Sequence, residues 1–190
     1  MTPTLDDLGW PRRTERLLIR PARADDGGVV FSYRSLPEVG RWLTALPTDR
    51  EEYVQAFGQR LDSTLVIERE HVVVGDLMVT VQNAWSQAEV AGEAIGTQAE
   101  LGWCIAPAHK GQGYATEAVR ELIVIAFDLG VRRIEAVCFA DNRASWRVMD
   151  KVGLRREGYF VQESLHRDGT WHDGISYALL QQEWREGLAR

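Results

Sequence analysis

The run Lys110-Gly-Gln-Gly-Tyr-Ala115 has the composition of a turn that binds an anion. A short apolar stretch, 99–105, precedes this turn, and a strong helical pattern follows it directly. A glycine-containing turn between a strand and a helix directs backbone N–H groups and the positive end of the helix dipole to one point. The sequence therefore predicts an anion site at residues 110–115.

Asn142 and Ser145 form a second candidate site, which follows another apolar strand-like run. Their i, i+3 spacing puts both side chains on one face of a predicted short helix. Taken in isolation, the same pair is also typical of a helix N-cap followed by a surface serine.

The residues alone allow several interpretations of the glycine turn. In the simplest, Gly111 and Gly113 only relieve backbone strain between a strand and a helix. A dinucleotide fingerprint is disfavoured because the third glycine is missing and only one further crossover follows. A P-loop is excluded because no Gly-Lys-Ser/Thr sequence closes the turn. The remaining interpretation is a cradle for the pyrophosphate of a coenzyme that also lies along the strand edge.

Hydrophobic periodicity and turn residues place the elements that must position these groups. Strands are predicted at Thr14–Pro21, Thr64–Glu68, Val72–Val81, 99–105, Ile134–Ala140, Gly158–Leu165 and Trp171–Leu180. Helices are predicted from the candidate caps Asp25 and Asp26 to Arg34, from the capping box Thr48-Asp-Arg-Glu51 to Leu61, from Gly113 to Leu129, and from Ala144 to Lys151. The order indicates an α/β (α+β) fold, with a mixed, mainly antiparallel sheet of about seven strands flanked by about four helices.

The chain length of 190 residues fits one domain. We assign the domain to residues 14–185, with a loose N-terminal arm at 1–13 and a short tail at 186–190. Apolar residues make up 45% of the chain and charged residues 26%, as in ordinary soluble globular proteins. A polar connection at 82–98 carries no predicted element.

Charge and hydropathy exclude several classes of partner. The net charge of −6 argues against nucleic acid or anionic lipid as a partner. No apolar run approaches the length of a membrane span, and the N-terminus does not resemble a secretory signal. Cys104 and Cys138 have no CxxC neighbour, so reduced thiols in a cytoplasmic protein are expected. The C-terminal strands and the apolar helix edges are candidate surfaces for a homodimer.

The glycine turn and its surroundings resemble the GNAT acetyltransferase superfamily. Its signature Arg/Gln-x-x-Gly-x-Gly/Ala matches Lys110 to Ala115, except that Lys110 replaces the usual Arg or Gln. Further matches resemble the branch that acetylates ribosomal-protein N-termini. They are Thr-Glu-Arg-Leu-Leu-Ile-Arg-Pro at 14–21, Ala-Asp-Asn-Arg-Ala-Ser at 140–145, Lys-Val-Gly-Leu-Arg-Arg-Glu-Gly at 151–158, and the ending from Asp168 to about Leu180.

This resemblance implies a twisted GNAT-like sheet, acetyl-CoA as cosubstrate, a primary amine as acceptor and direct attack in a ternary complex. The acceptor is either a protein N-terminal amine or a small-molecule amine. The implied coenzyme-binding residues are Cys104, Ile105, Lys110, Gly111, Gln112, Gly113, Tyr114, Ala115, Asn142 and Ser145. A backbone N–H near Cys104 or Ile105 is implied as the donor to the thioester oxygen, and Asn142 as a partner of the pantetheine arm.

The catalytic assignments follow from the same resemblance. Many members carry a tyrosine acid at the position of Met149, so Ser145 is the substitute that would face the sulfur. Glu100 is the candidate base, acting through water, although its carboxylate is equally explained by pairing with a nearby arginine. Glu163 is the rival base. A covalent acetyl-enzyme on Cys104 is disfavoured, because no His or Asp is visibly placed to activate the thiol.

Other functions remain to be weighed against this prediction. His166 and His172, with Asp168 and Asp173, match no recognised ligand spacing, so a polar hairpin surface and no metal are expected. An aminoglycoside-type antibiotic acetyltransferase is the closest alternative enzyme. A catalytically silent acyl-CoA-binding regulator is the alternative from a different functional class.

Overall fold

A computed structural model describes residues 3–188 of the chain. Its strands are β1 (Arg12–Arg13), β2 (Leu18–Pro21), β3 (Thr64–Arg69), β4 (Val72–Gln82), β5 (Gln98–Ile105), β6 (Arg133–Phe139), β7 (Arg155–Leu165) and β8 (Trp171–Leu180). Its α-helices are α1 (Gly27–Arg34), α2 (Pro37–Gly40), α3 (Arg50–Gly58), α4 (Tyr114–Asp128), α5 (Arg143–Lys151) and α6 (Gln181–Leu188). Within residues 3–188, no helix has both the length and the apolar composition of a membrane span.

The strands form one sheet in the order β1-β2-β3-β4-β5-β6-β8-β7. β5 and β6 run parallel, whereas the pairs β1–β2, β2–β3, β3–β4, β6–β8 and β7–β8 are antiparallel. This confirms the predicted mixed, mainly antiparallel fold. The helix between β5 and β6 is the single predicted crossover, since parallel strands cannot be joined by a tight turn.

Residues 3–188 contain more strands and α-helices than the sequence predicts. Arg12 and Arg13 pair with Ile19 and Leu18, which makes part of the expected loose arm a strand. The helices α2 and α6 were not predicted from the sequence. α2 is a single turn that begins at Pro37. α6 begins directly after β8, with no loop residue to mark its start.

Two predicted helix starts have different caps in the structure. α3 is capped by Asp49 and not by Thr48, because the Asp49 carboxylate accepts from Glu52 N–H at 2.8 Å. α3 also ends at Gly58, three residues before the predicted Leu61. The Asp26 carboxylate makes no cap bond to α1 and instead binds the Arg20 guanidinium at 2.7 Å.

The chain forms two compact units. Among the described residues, the N-terminal unit comprises Thr4–Met78 and Gly102–Glu121, and the C-terminal unit comprises Val79–Leu101, residues 122–188 and Pro3. The core of the N-terminal unit consists of Ala22, Val30, Tyr33, Val39, Phe57, Val66 and Cys104. The fully buried residues of the C-terminal unit include Leu122, Ile123, Ile125, Ala126, Ile134 and Ala136.

Candidate active site

The segment from Pro107 to Tyr114 turns the chain from β5 into α4. A 3-10 turn at Pro107–His109 is followed by extended Lys110, and then by Gly111 at φ +77° and Gly113 at φ +83°. Both glycines therefore occupy the left-handed region, which residues with a Cβ rarely adopt. The backbone conformation therefore explains why a glycine occupies each of these two positions in the predicted turn.

The first turn of α4 presents backbone donors beside this loop. Glu117 N–H donates to Gly113 O at 3.1 Å, which is the first hydrogen bond of the helix. The N–H groups of Tyr114, Ala115 and Thr116 precede that bond and have no acceptor within the helix. The helix dipole adds positive potential at the same end, so the loop is suited to an anion.

Arg16 fixes the orientation of this loop. Its guanidinium donates to Gln112 O at 2.9 Å, forms an ion pair with Glu117 at 2.7 Å, and lies 4.8 Å from the Tyr114 ring centroid. The C=O and N–H of one trans peptide point in opposite directions. Holding Gln112 O therefore turns Gly113 N–H away from Arg16.

Glu117 is the carboxylate that pairs with Arg16 and holds its guanidinium beside the loop. Burial acts to raise its pKa, but hydrogen bonds from the Thr14 hydroxyl, at 2.6 Å, and from the backbone and side chain of Arg16 outweigh burial and lower the pKa. Glu117 is thus an ionised structural partner. The sequence motifs contained Thr14, Arg16 and Glu117, but they could not show that residues about a hundred positions apart meet.

Replacing Arg16 with alanine should raise KM for acetyl-CoA, the cosubstrate that the sequence resemblance implies, about tenfold. This is the scale of one correctly oriented hydrogen bond to a phosphate. The kcat value should stay near that of the wild type, because the contacts of Arg16 orient the loop and the residues expected to act on the thioester are others. Steady-state kinetics with varied acetyl-CoA measures both constants. Arg13→Ala, which removes an exposed arginine from β1, is the matched control, and an equal KM in both variants would contradict the orienting role.

β5 reaches this loop through Cys104 and Ile105. Cys104 is buried, and burial, followed by the charge of Asp76, raises the pKa of its thiol to about 12. A Cβ added to Gly75 would lie 2.5 Å from Cys104 O, so β4 passes β5 at backbone distance here. A neutral, buried thiol is a poor nucleophile, which argues against an acetyl-enzyme on Cys104.

A buried ion pair lies in the same unit. Asp76, on β4, is 3% exposed and accepts from Tyr33 Oη at 2.7 Å and from Arg34 Nε at 3.0 Å, with a second Arg34 nitrogen on its other oxygen. Burial first, then the negative charge of Asp76, raises the pKa of Tyr33 well above its usual value. No sequence pattern indicates this cluster, because Asp76 lies inside an otherwise apolar strand.

In the C-terminal unit, Asn142 is the N-cap of α5. Its Oδ1 accepts from Ser145 N–H at 3.3 Å, and its Nδ2 donates to Ser145 Oγ at 3.0 Å. Asn142 is buried and Ser145 is half-buried. Because Ser145 Oγ acts as an acceptor toward Asn142, its hydroxyl hydrogen is available for another partner. The N-cap interpretation is thus observed, and it leaves the serine proton free.

Glu100 lies opposite Glu135 in the parallel pairing of β5 with β6. Burial, followed by the charge of Glu135, raises the pKa of Glu100. Arg133 binds Glu135 at 2.7 Å and Glu157 at 2.6 Å. The alternative in which an arginine pairs with Glu100 has no support among the described residues, whose ion pairs do not include Glu100.

Comparison with known proteins adds an independent observation to this geometry. A family model described as Acetyltransferase (GNAT) domain matches residues 16–155, which is most of the chain. The chain belongs to the GNAT acetyltransferase family.

Two relatives and one solved structure illustrate the match. The chain is 32% identical to the uncharacterized N-acetyltransferase YnaD of Bacillus subtilis, over 90% of this chain and 97% of the relative. It is 28% identical to B. subtilis YdaF, provisionally named a ribosomal N-acetyltransferase, over 77% of this chain and 80% of the relative. A GNAT-family acetyltransferase structure from Bacillus anthracis superposes with a TM-score of 0.76 at 28% identity, covering 90% of this chain and 98% of that one.

These matches confirm the family predicted from the sequence, its resemblance to ribosomal N-acetyltransferases, and the class of enzyme, an acetyl-CoA-dependent N-acetyltransferase. Met149, at the position where the sequence resemblance implies the tyrosine of many members, is 1% exposed. Glu163, the rival base, is exposed on β7 and accepts from Ser164 Oγ at 2.5 Å.

The GNAT chain also assembles a histidine cluster at the β7–β8 turn. His166, Asp168 and His172 come together, and Asp141 joins them at 3.3 Å from His172 Nδ1. Asp173, which the sequence analysis grouped with them, instead binds Tyr159 and the backbone N–H of Gln162. Sequence spacing could not identify Asp141, which lies in a different turn.

Proposed function

We propose that this GNAT enzyme transfers the acetyl group of acetyl-CoA to a primary amine, by direct attack in a ternary complex. The observation that carries the proposal is the loop at 107–115, with two left-handed glycines, an extended Lys110 and the first turn of α4. Acetyl-CoA supplies the activated acetyl thioester, and the chain supplies binding, orientation and proton transfer.

The loop fits the diphosphate of the coenzyme. Lys110 to Gly113 are exposed, so a ligand can reach their backbone. The N–H groups of residues 111–115 would hold the phosphate oxygens, and Lys110 adds one positive charge in place of the family's usual Arg or Gln. A Cβ on Gly113 would lie 3.3 Å from Arg16 and would require a left-handed backbone, so a glycine is favoured there.

β5 would hold the pantetheine arm along its later residues. An extended chain of amides pairs with a strand edge as an added strand does. The backbone N–H of Cys104 or Ile105 is the proposed donor to the thioester oxygen, because that oxygen gains negative charge as the amine attacks. Asn142 is the proposed side-chain partner of the arm.

Ser145 is the proposed acid for the leaving thiolate. Its oxygen already accepts from Asn142 Nδ2, so its hydroxyl hydrogen is free to be donated. Glu100 is the proposed base, which takes the proton of the attacking ammonium through water. A base must be ionised to act, and a pKa raised by burial and by Glu135 brings Glu100 nearer to the working pH.

Replacing Glu100 with glutamine should lower kcat about tenfold near neutral pH. This lies below the usual 10²–10⁴-fold range of general-base catalysis, because the attacking amine also reaches its neutral form through bulk solvent. The pH profile is the decisive readout. Activity of the wild type should fall as pH falls through the raised pKa of Glu100, and that limb should be absent in the glutamine variant.

Glu135→Gln provides the matched test. Removing the neighbouring negative charge should lower the pKa of Glu100 and move the acid limb to lower pH, with kcat retained at its plateau. An unmoved limb in this variant, or an unchanged limb in Glu100→Gln, would contradict the role of Glu100.

We infer an N-terminal α-amine of a protein as the acceptor, on the strength of the similarity to YdaF. Free thiol release from acetyl-CoA should be measured with N-terminal peptides, polyamines and aminoglycosides, and the acetylated product identified by mass. Peptide acetylation alone supports the proposal, and aminoglycoside acetylation would replace it with the antibiotic-modifying alternative. Coenzyme binding without turnover on any acceptor would indicate a silent acyl-CoA-binding regulator.

A further inference from the structure

The turn between β7 and β8 carries three metal-type ligands that converge without belonging to the acetyl-transfer site. One ligand atom from each of His166, Asp168 and His172 lies within 4.8 Å of the others. His166 Nδ1 is 3.0 Å from Asp168 Oδ2, and His172 Nε2 is 3.9 Å from the same oxygen. Ligand atoms around a tetrahedral zinc ion, at bond lengths of about 2.0–2.1 Å, lie about 3.3 Å apart. The two separations from Asp168 Oδ2, 3.0 Å and 3.9 Å, lie on either side of that value.

Each ligand is held by its surroundings. His166 is 8% exposed, and the Phe139 ring packs edge-on against both imidazoles. The backbone N–H of Thr170 donates to Asp168 Oδ1 at 2.9 Å, which holds this carboxylate in place. The Thr170 hydroxyl lies 2.6 Å from Asp168 Oδ1, which leaves Asp168 Oδ2 to the histidines.

Asp141 provides an outer partner. His172 Nδ1 is 3.3 Å from Asp141 Oδ2, while His172 Nε2 faces Asp168. Histidines that bind a metal typically donate their other ring N–H to a carboxylate, which fixes the tautomer and the orientation of the ring. In the structure the Thr170 hydroxyl donates to Asp168 Oδ1, so His172 Nε2 is the donor in its 2.8 Å contact with Thr170 Oγ1. Binding of an ion would move this proton to Nδ1, beside Asp141, and give the Nε2 lone pair to the metal.

We propose that His166, Asp168 and His172 bind one divalent transition-metal ion of the Zn²⁺ class, with Asp141 orienting His172. Two imidazoles and one carboxylate are the ligand types that such ions prefer, and three protein ligands leave a position for water. The Thr170 hydroxyl, at 2.8 Å from His172 Nε2, gives up that contact to the ion and keeps its bond to Asp168.

The site ties two turns of the C-terminal unit together. His166 and His172 flank the β7–β8 turn, whereas Asp141 precedes the N-cap Asn142 of α5, and Ala140 N–H already donates to Asp173 O at 2.8 Å. A bound ion therefore stabilises the turn that carries Asn142 and Ser145. The proposal is independent of the acetyl acceptor and of the acetyl-transfer chemistry.

The test is calorimetric titration of the chelator-treated full chain with ZnCl₂. We expect one high-affinity site in the wild type, at least a 100-fold loss of affinity in His172→Ala and Asp168→Asn, and a 10–100-fold loss in Asp141→Asn. His71→Asn, which removes an exposed histidine at the β3–β4 turn, is the matched control and should bind as the wild type does.

Thermal unfolding provides a second readout. Zinc should raise Tm of the wild type and of His71→Asn, but not of His172→Ala, because only a native-state site couples binding to stability. Asp141 is 73% exposed, so Asp141→Asn keeps the test valid where a ligand variant does not fold. Wild-type affinity in Asp141→Asn and Asp168→Asn, or loss of binding in Cys138→Ser, would overturn the proposal.

Discussion

Replacing Ser145 with alanine should lower kcat about 100-fold, which corresponds to about 2.7 kcal/mol of lost transition-state stabilisation. General acids contribute about 10²–10⁴-fold, and the low end applies because an alkyl thiolate, whose acid has a pKa of about 8.5, leaves readily without full protonation. KM for acetyl-CoA should change by less than about twofold, since the proposed function assigns most of the coenzyme binding to the loop at 107–115. Steady-state kinetics with a saturating amine measures both constants.

The controls separate proton donation from folding. Ser145 Oγ accepts from Asn142 Nδ2, so the alanine variant should also lose about 1 kcal/mol of unfolding free energy, which urea titration measures. Ser145→Thr retains a hydroxyl and should recover at least part of kcat. Ser32→Ala, at an exposed position of α1, removes a serine hydroxyl that donates to Val29 O and should leave kcat unchanged. A wild-type kcat in Ser145→Ala would remove Ser145 from the mechanism.

The sequence predicted the elements around the site well because local signals determine them. Gly111 and Gly113 are spaced as the strand-to-helix turn requires, and both adopt positive φ in the structure. Asn142 and Ser145 both lie at the start of α5, as their i, i+3 spacing predicts. These features depend on neighbours within a few residues, which a single sequence displays directly.

The contacts that the sequence missed join distant segments. Arg16 meets Glu117 across 101 positions, and His172 meets Asp141 across 31. No periodicity in one sequence identifies such partners, because the pairing is set by how strands and helices pack. The short strand β1 was missed for the same reason: two arginines form a strand only because β2 offers them backbone partners.

Asp76→Asn should lower the free energy of unfolding by about 3 kcal/mol. Breaking a buried ion pair by neutralising one partner costs about 3–5 kcal/mol, because the other charge stays buried without compensation. The lower limit applies here, since the Arg34 side chain keeps 22% exposure to solvent and the amide oxygen of the new asparagine would still accept from Tyr33. Against a total stability of about 5–15 kcal/mol, this is a large fraction. Equilibrium unfolding in urea, with m compared between variants, measures the change.

Two further variants test whether the buried, uncompensated charge causes this loss of unfolding free energy. Glu70→Gln removes the acid of the exposed pair with Arg69, in which Glu70 is 80% exposed, and should cost less than about 0.5 kcal/mol. The double change Asp76→Leu with Arg34→Met removes both charges at similar volume and should cost less than Asp76→Asn alone. A loss below about 1 kcal/mol in Asp76→Asn would show that water reaches the Arg34 guanidinium. The cluster would then behave as a surface pair despite the 3% exposure of Asp76, and its value to the fold would lie in orienting Tyr33 and β4.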